Sequence, residues 1–128
     1  MKVPTDRRYS ETHEWFLQDG NLVTVGITQY AADQLTDITY VELPEVGRKI
    51  ANGDPIGEVE SVKATSEIFS SVAGIISEAN AVLADKPELI NDDAFDEGWI
   101  ARIKVDSSDA LGNLMTAKEY TSYLRNLD

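Results

Sequence analysis

Gly57-Glu-Val-Glu-Ser-Val-Lys-Ala-Thr-Ser-Glu67 is the stretch on which the fold turns. Just before it, Asn52-Gly53-Asp54-Pro55 gathers four residues that favour turns. Ile56 to Val62 and Thr65 to Ile76 then form two runs rich in strand-forming residues, separated by Lys63-Ala64. The pattern predicts a hairpin over residues 56–76 with Lys63 at its tip. Taken alone, a lysine at a hairpin tip is a solvated charge that discourages edge-to-edge association. Its setting adds a second reading. A stiff two-strand base would hold an attached group away from the body of the protein, and the lysine stem would add reach.

Working outward toward the N-terminus, Ile38 to Leu43 alternates well enough for a strand, and Pro44-Glu-Val-Gly47 ends it because proline lacks a ladder donor. Leu22 to Thr28 is the return strand of a hairpin whose partner is Glu14 to Leu17, with Asp19-Gly20-Asn21 as the turn. Thr28 is placed to cap a short helix over Gln29 to Leu35. Toward the C-terminus, Ala73-Gly74 marks a turn or bulge, and Lys86-Pro87-Glu88 opens a loop or a short helical turn through Leu89-Ile90. Trp99 to Val105 is the last strand, and Asp109 is a candidate cap for a turn carrying Leu111, Leu114 and Met115. Thr116-Ala-Lys-Glu119 fits a capping box, followed by Tyr120, Tyr123, Leu124 and Leu127 at helical spacing, which predicts a C-terminal helix over residues 116–126. Val46-Gly47 and Ala73-Gly74 flank Lys63 at similar distances, a weak internal symmetry.

Composition narrows the chemistry. At 128 residues and 42% hydrophobic content the chain is expected to form a single domain over residues 1–128. It contains no apolar run long enough to span a bilayer and no apolar signal region between Met1 and Tyr9. Zero cysteines exclude a disulfide framework, and a single histidine, His13, excludes a multi-histidine metal site within one chain. The net charge of -12 would repel a phosphate backbone and favour encounters with basic protein surfaces. Nucleic acid and membrane are therefore not expected partners. Gly-x-Ser-x-Gly, phosphate-binding and dinucleotide motifs are absent, which weighs against an enzyme. Glu58, Glu60 and Glu67 could supply paired carboxylates, but strand alternation gives the same pattern without catalysis. For His13 a structural role outweighs proton transfer, and Trp15 and Trp99 read as core anchors.

The chain resembles the glycine cleavage H family. The resemblance rests on Glu58-Val-Glu-Ser-Val-Lys-Ala-Thr-Ser66, Thr12-His-Glu-Trp15, Val41-Glu-Leu-Pro-Glu-Val-Gly47, and Glu88-Leu-Ile-Asn91 with Gly98-Trp99. Related lipoyl domains of the 2-oxoacid dehydrogenases usually carry Asp-Lys at the turn and biotin carriers Met-Lys-Met, whereas this chain has Val62-Lys63-Ala64. The resemblance implies a mainly β barrel-sandwich hybrid, the fold of biotinyl and lipoyl carriers, with short helices and a C-terminal helix. It implies lipoate on Lys63 as N6-lipoyllysine, with Glu60, Ser61, Val62, Ala64 and Thr65 as the modification motif and Glu14, Gln34 and Glu67 near the cleft that shelters the arm. It implies no catalytic residues and no metal.

The partners implied are a pyridoxal-phosphate glycine decarboxylase, a tetrahydrofolate-dependent aminomethyltransferase, a flavin dihydrolipoamide dehydrogenase and a lipoyl-attaching enzyme. A monomer is expected, in a bacterial cytoplasm or, for a processed eukaryotic form, the mitochondrial matrix. Departures from the family pattern are Ser71 where proline is common, Thr36 where glycine is common, and Gln34 where some members have histidine. The missing proline is expected to loosen the strand locally. Two competing readings are a relay protein passing lipoyl or octanoyl groups to other lipoyl domains, and an interaction module whose Lys63 is never modified. An enzyme acting on a free small molecule is the third.

Overall fold

The structure, a computed structural model, describes residues 2–106 and 110–127. In chain order the elements are β1 (Arg8–Tyr9), β2 (Glu14–Asp19), β3 (Leu22–Ile27), α1 (Gln29–Leu35), β4 (Ile38–Glu42), β5 (Lys49–Ile50), β6 (Pro55–Ser61), β7 (Thr65–Phe69), β8 (Gly74–Ala79), α2 (Val82–Asp85), α3 (Leu89–Asp92), β9 (Ala101–Lys104) and α4 (Ala117–Arg125). The strands form two antiparallel sheets: β1-β2-β3-β9-β8-β5 and β4-β6-β7. This mainly β architecture with short helices is the one expected from the sequence.

Alternation along the strands divides the core in two. Phe16, Val23, Val25 and Ile103 of the larger sheet and Val41, Val59 and Ile68 of the smaller belong to one buried cluster, so the principal core lies between the sheets. Trp15, Tyr9, Ala117 and Tyr120 form a second cluster that seats α4. Trp15 lies opposite Gly26 in the β2–β3 register, and a β-carbon at residue 26 would fall 2.6 Å from the indole. Only glycine leaves room for that ring. The indole N–H donates to the Ala94 carbonyl at 2.9 Å, so the side chain is buried without losing its hydrogen bond.

Several expectations need correction. Thr65 to Ile76 is not one strand: β7 ends at Phe69, and Ser70 turns the chain by donating its hydroxyl to the Val72 carbonyl at 2.5 Å and accepting from the Val72 N–H at 3.1 Å. The chain thereby leaves the three-stranded sheet and enters the six-stranded one as β8, because a hydroxyl that satisfies nearby backbone groups competes with the ladder. Ser71 consequently lies outside any strand, so no strand is there for the missing proline to loosen. Trp99 precedes β9 and is half-buried, packing against the second cluster with the Arg102 guanidinium 4.1 Å from its ring centroid, so it anchors the margin of that cluster where Trp15 is buried within it.

The short strands β1 and β5 and helix α2 carry too few residues to announce themselves by periodicity. The weak symmetry around Lys63 does have a spatial counterpart: β5, following Gly47, pairs with β8, which starts at Gly74. The capping box at Thr116 and Glu119 forms in both directions, at 3.2 and 2.8 Å. The proposed cap at Asp109 lies outside the described residues. Among the described residues, no helix is long and apolar enough to cross a membrane.

Candidate functional site

Strands β6 and β7 pair through Glu58 with Glu67, Val59 with Ser66 and Glu60 with Thr65, then close over a two-residue loop, Val62-Lys63. Ser61 N–H donates to the Ala64 carbonyl at 2.8 Å as the last rung. Tight hairpins of this length ordinarily use left-handed backbone, supplied by glycine or asparagine. Neither Val62 nor Lys63 has a positive φ. Instead the Ser61 hydroxyl sits inside the turn, accepting from the Lys63 N–H at 3.1 Å and the Ala64 N–H at 3.0 Å while lying 3.1 Å from the Ala64 carbonyl as donor. One side chain thus satisfies the backbone that a two-residue loop of β-branched and long residues leaves open.

Val62 and Lys63 both face solvent, Val62 at 72% exposure. The tip is steadied against the turn between α1 and β4: Val62 N–H donates to the Asp37 carbonyl at 3.2 Å, one residue beyond the Ile38–Ser61 pair. Lys63 Nζ lies 3.5 Å from the Gln34 carbonyl and, among the described residues, forms no ion pair. An exposed amine held by one long hydrogen bond is open to acylation. The amide so formed would keep an N–H to donate to the same carbonyl, so the residues present fit a lysine-linked acyl arm.

The three candidates for an arm cleft occupy separate positions, and among the described residues no hydrogen bond or ion pair joins any two of them. Gln34 contributes its backbone carbonyl to Lys63. Glu14 is 1% exposed beneath the far end of β7, where its carboxylate accepts from Ser10 Oγ at 2.6 Å, from Thr12 Oγ1, and from the Phe69 N–H at 3.3 Å. Burial pushes the Glu14 carboxyl above the ordinary range, with the hydrogen bonds pulling the other way. Glu67 is exposed on β7 opposite Glu58, which in turn faces Glu42 on β4. Partial desolvation, followed by repulsion from Glu42, Glu60 and Glu67, pushes the Glu58 carboxyl up. The row is therefore an acidic strip and not a matched acid–base pair.

His13 takes the structural role. It sits at φ 71°, its Nδ1 is 2.8 Å from the Tyr120 hydroxyl, and its ring centroid is 4.7 Å from that of Tyr30. Tyr120 also meets Thr28 Oγ1 at 2.8 Å, and Thr28 accepts from the Ala31 N–H at 3.2 Å. A consistent chain of donors runs Ala31 N–H to Thr28, Thr28 O–H to Tyr120, and Tyr120 O–H to an unprotonated His13 Nδ1, tying α4 to the start of α1. Sequence reasoning missed one contributor to the site. Asn91 reaches the α1–β4 turn from α3, more than fifty positions along the chain, and no local pattern signals such a contact.

Two antiparallel sheets that raise an exposed lysine on the tip of a hairpin have the geometry of a carrier domain. The family model for the glycine cleavage H-protein matches residues 7–127, and the chain belongs to that family. It is 48% identical to the glycine cleavage system H protein of Thermus thermophilus over 126 residues, covering 98% of both chains. With that of Staphylococcus saprophyticus it shares 42% identity over 97% of this chain and 98% of the relative. The crystal structure of a glycine cleavage system H protein from Mycobacterium marinum superposes with a TM-score of 0.88 at 35% identity, covering 96% of this chain and 99% of that one. The chain is accordingly a lipoyl-carrier component of the glycine cleavage system.

Proposed function

We propose that Lys63 is the residue that bears the lipoyl group, in amide linkage to Nζ, and that residues 1–128 act as one carrier domain presenting it. The observation that carries this reading is the two-residue tip itself. It is rigid at its base through the β6–β7 ladder and the Ser61 hydroxyl, and exposed at Lys63, whose amine has no carboxylate partner among the described residues. When bound, lipoate supplies the disulfide that accepts the one-carbon unit of glycine and the dithiol that is later reoxidised. The protein contributes placement. Strands β6 and β7 hold the attachment point clear of the body, Ser61 fixes the turn, and Val62 and the exposed backbone around it form the surface that a lipoyl-attaching enzyme would grip.

The partners in this reading are the pyridoxal-phosphate glycine decarboxylase, the tetrahydrofolate-dependent aminomethyltransferase and the flavin dihydrolipoamide dehydrogenase. The net charge of -12 suits visits to basic surfaces on such partners. We place the protein in the cytoplasm of a bacterium and treat it as a monomer, since a carrier that visits several enzymes needs its tip free. Glu14 and Glu67 are the residues we assign to sheltering the loaded arm, Glu14 through a carboxylate already held under the hairpin strand and Glu67 through its exposed place on the same strand.

Intact-mass and peptide mass spectrometry of the protein purified from its native host tests the attachment. One lipoyl group on Lys63 is expected. An unmodified Lys63 in cells that lipoylate other proteins would contradict it and favour an interaction module. A relay role is separated by incubating the lipoylated chain with an unmodified lipoyl domain and a transfer enzyme; the shuttle reading expects no requirement for this chain in modifying other domains.

A further inference from the structure

The two acceptors that steady the lysine tip lie close together in the chain: the Gln34 carbonyl in the last turn of α1, and the Asp37 carbonyl in the turn between α1 and β4. Thr36, in the middle of that turn, adopts φ 62° and ψ -142°, a conformation that glycine tolerates and a β-branched residue resists. Thr36 and Asp37 are exposed, so burial does not hold them there. The Asn91 amide does. Its Nδ2 donates to the Thr36 carbonyl at 2.7 Å and its Oδ1 accepts from the Ile38 N–H at 3.0 Å. It thus grips the peptide groups on either side of Asp37 as a neighbouring strand would. Asn91 is itself fixed, because Ile90 beside it is fully buried and its own carbonyl accepts from Gln29 Nε2 of α1 at 3.3 Å.

We propose that Asn91 is a positioning residue for Lys63. By holding the strained Thr36 turn, it sets the Asp37 carbonyl that receives the Val62 N–H, next to the helix end whose Gln34 carbonyl meets the Lys63 amine, and so fixes how the tip is presented to the enzyme that acylates it. The acylation part rests on Lys63 being the attachment site. The clamp itself does not. A donor and an acceptor are both needed at residue 91: an aspartate of the same shape offers two acceptors and would face the Thr36 carbonyl with no proton to give.

The test uses the full-length, unmodified chain in two measurements: amide hydrogen exchange, and acylation of Lys63 by a lipoyl-attaching enzyme supplied with lipoate and ATP. Asn91→Asp should speed exchange at the Val62 N–H by about five- to tenfold, the scale of one hydrogen bond lost, while the β3–β9 ladder exchanges as before. The KM for the chain should rise with kcat unchanged. Asn91→Ala, which adds no charge, should show the same pattern. Introducing Thr36→Gly into Asn91→Ala should move both measurements back toward wild type, because glycine adopts the positive φ without strain. Unchanged Val62 exchange would overturn the proposal, as would exchange that rises equally in β3–β9, or failure of Thr36→Gly to rescue. A wild-type chain that takes no acyl group at Lys63 would overturn the attachment reading instead, and the exchange data would still decide the clamp.

Discussion

The Ser61 hydroxyl accepts a hydrogen bond from the Lys63 N–H at 3.1 Å, so the residue two positions before the lysine fixes the backbone that presents it. Because Ser61 also accepts from the Ala64 N–H, removing its oxygen frees two donors at once. The turn is exposed, and water can replace part of what is lost. Ser61→Ala should therefore lower stability by only about 0.5–1 kcal/mol while clearly speeding exchange of the Lys63 and Ala64 amides. Ser61→Thr, which keeps the hydroxyl, should leave both near wild type.

Thr36 gives the opposite sign. Relief of its positive-φ backbone should outweigh the lost hydrogen bond from Thr36 Oγ1 to the Leu35 carbonyl and the added freedom of glycine in the unfolded chain. Thr36→Gly is expected to stabilise the protein by about 1 kcal/mol, seen as a higher urea midpoint with an unchanged slope.

His13 should make stability depend on pH. Burial lowers its pKa below the ordinary imidazole value of 6.5, so the unfolded chain takes up a proton more readily than the folded one. The stability it contributes is complete above pH 6.5 and is lost as the pH falls through the lower, folded-state value. Glu14 acts in the other direction, since its raised pKa favours the folded state at low pH and that contribution fades as the carboxyl ionises. His13→Asn, which tolerates the positive φ, isolates the imidazole: urea midpoints compared at mildly acidic and mildly alkaline pH should differ less than in wild type. An equal difference would assign the pH dependence elsewhere.

Glu14 and Glu67 are tested by the loss of the one-carbon unit to water, followed as formaldehyde released from the loaded carrier. Glu14→Ala or Glu67→Ala should speed that loss. Glu14→Gln controls for packing, because its remaining side-chain oxygen can still accept from the Phe69 N–H. An unchanged rate in both alanine variants would remove these residues from the arm's shelter.

Much of this is legible in the sequence. Helix α1 has the limits its Thr28 cap implied, the α4 capping box forms as written, and Lys63 stands at the tip that two β-rich runs defined. These are local signals, and each depends on residues within one or two turns of chain. What escaped is set at a distance or by competition. The break at Ser70 depends on one hydroxyl preferring nearby backbone to a ladder, and β1 and β5 are too short to show alternation. Asn91 acts on a turn that only the assembled fold brings to it. The cleft candidates show the same division: Glu14, Gln34 and Glu67 could be named by resemblance, but their separate placements could not be read from spacing.

The central claim is that Lys63 carries the group through which glycine is cleaved. The most direct test is glycine decarboxylation in a system reconstituted with lipoylated wild-type chain or with Lys63→Ala prepared under the same lipoylating conditions. The substitution is at an exposed tip and should change stability by no more than about 0.5 kcal/mol, so circular dichroism and the urea midpoint should match wild type. The account predicts that decarboxylation is abolished in that folded variant. Decarboxylation retained at the wild-type rate would contradict it.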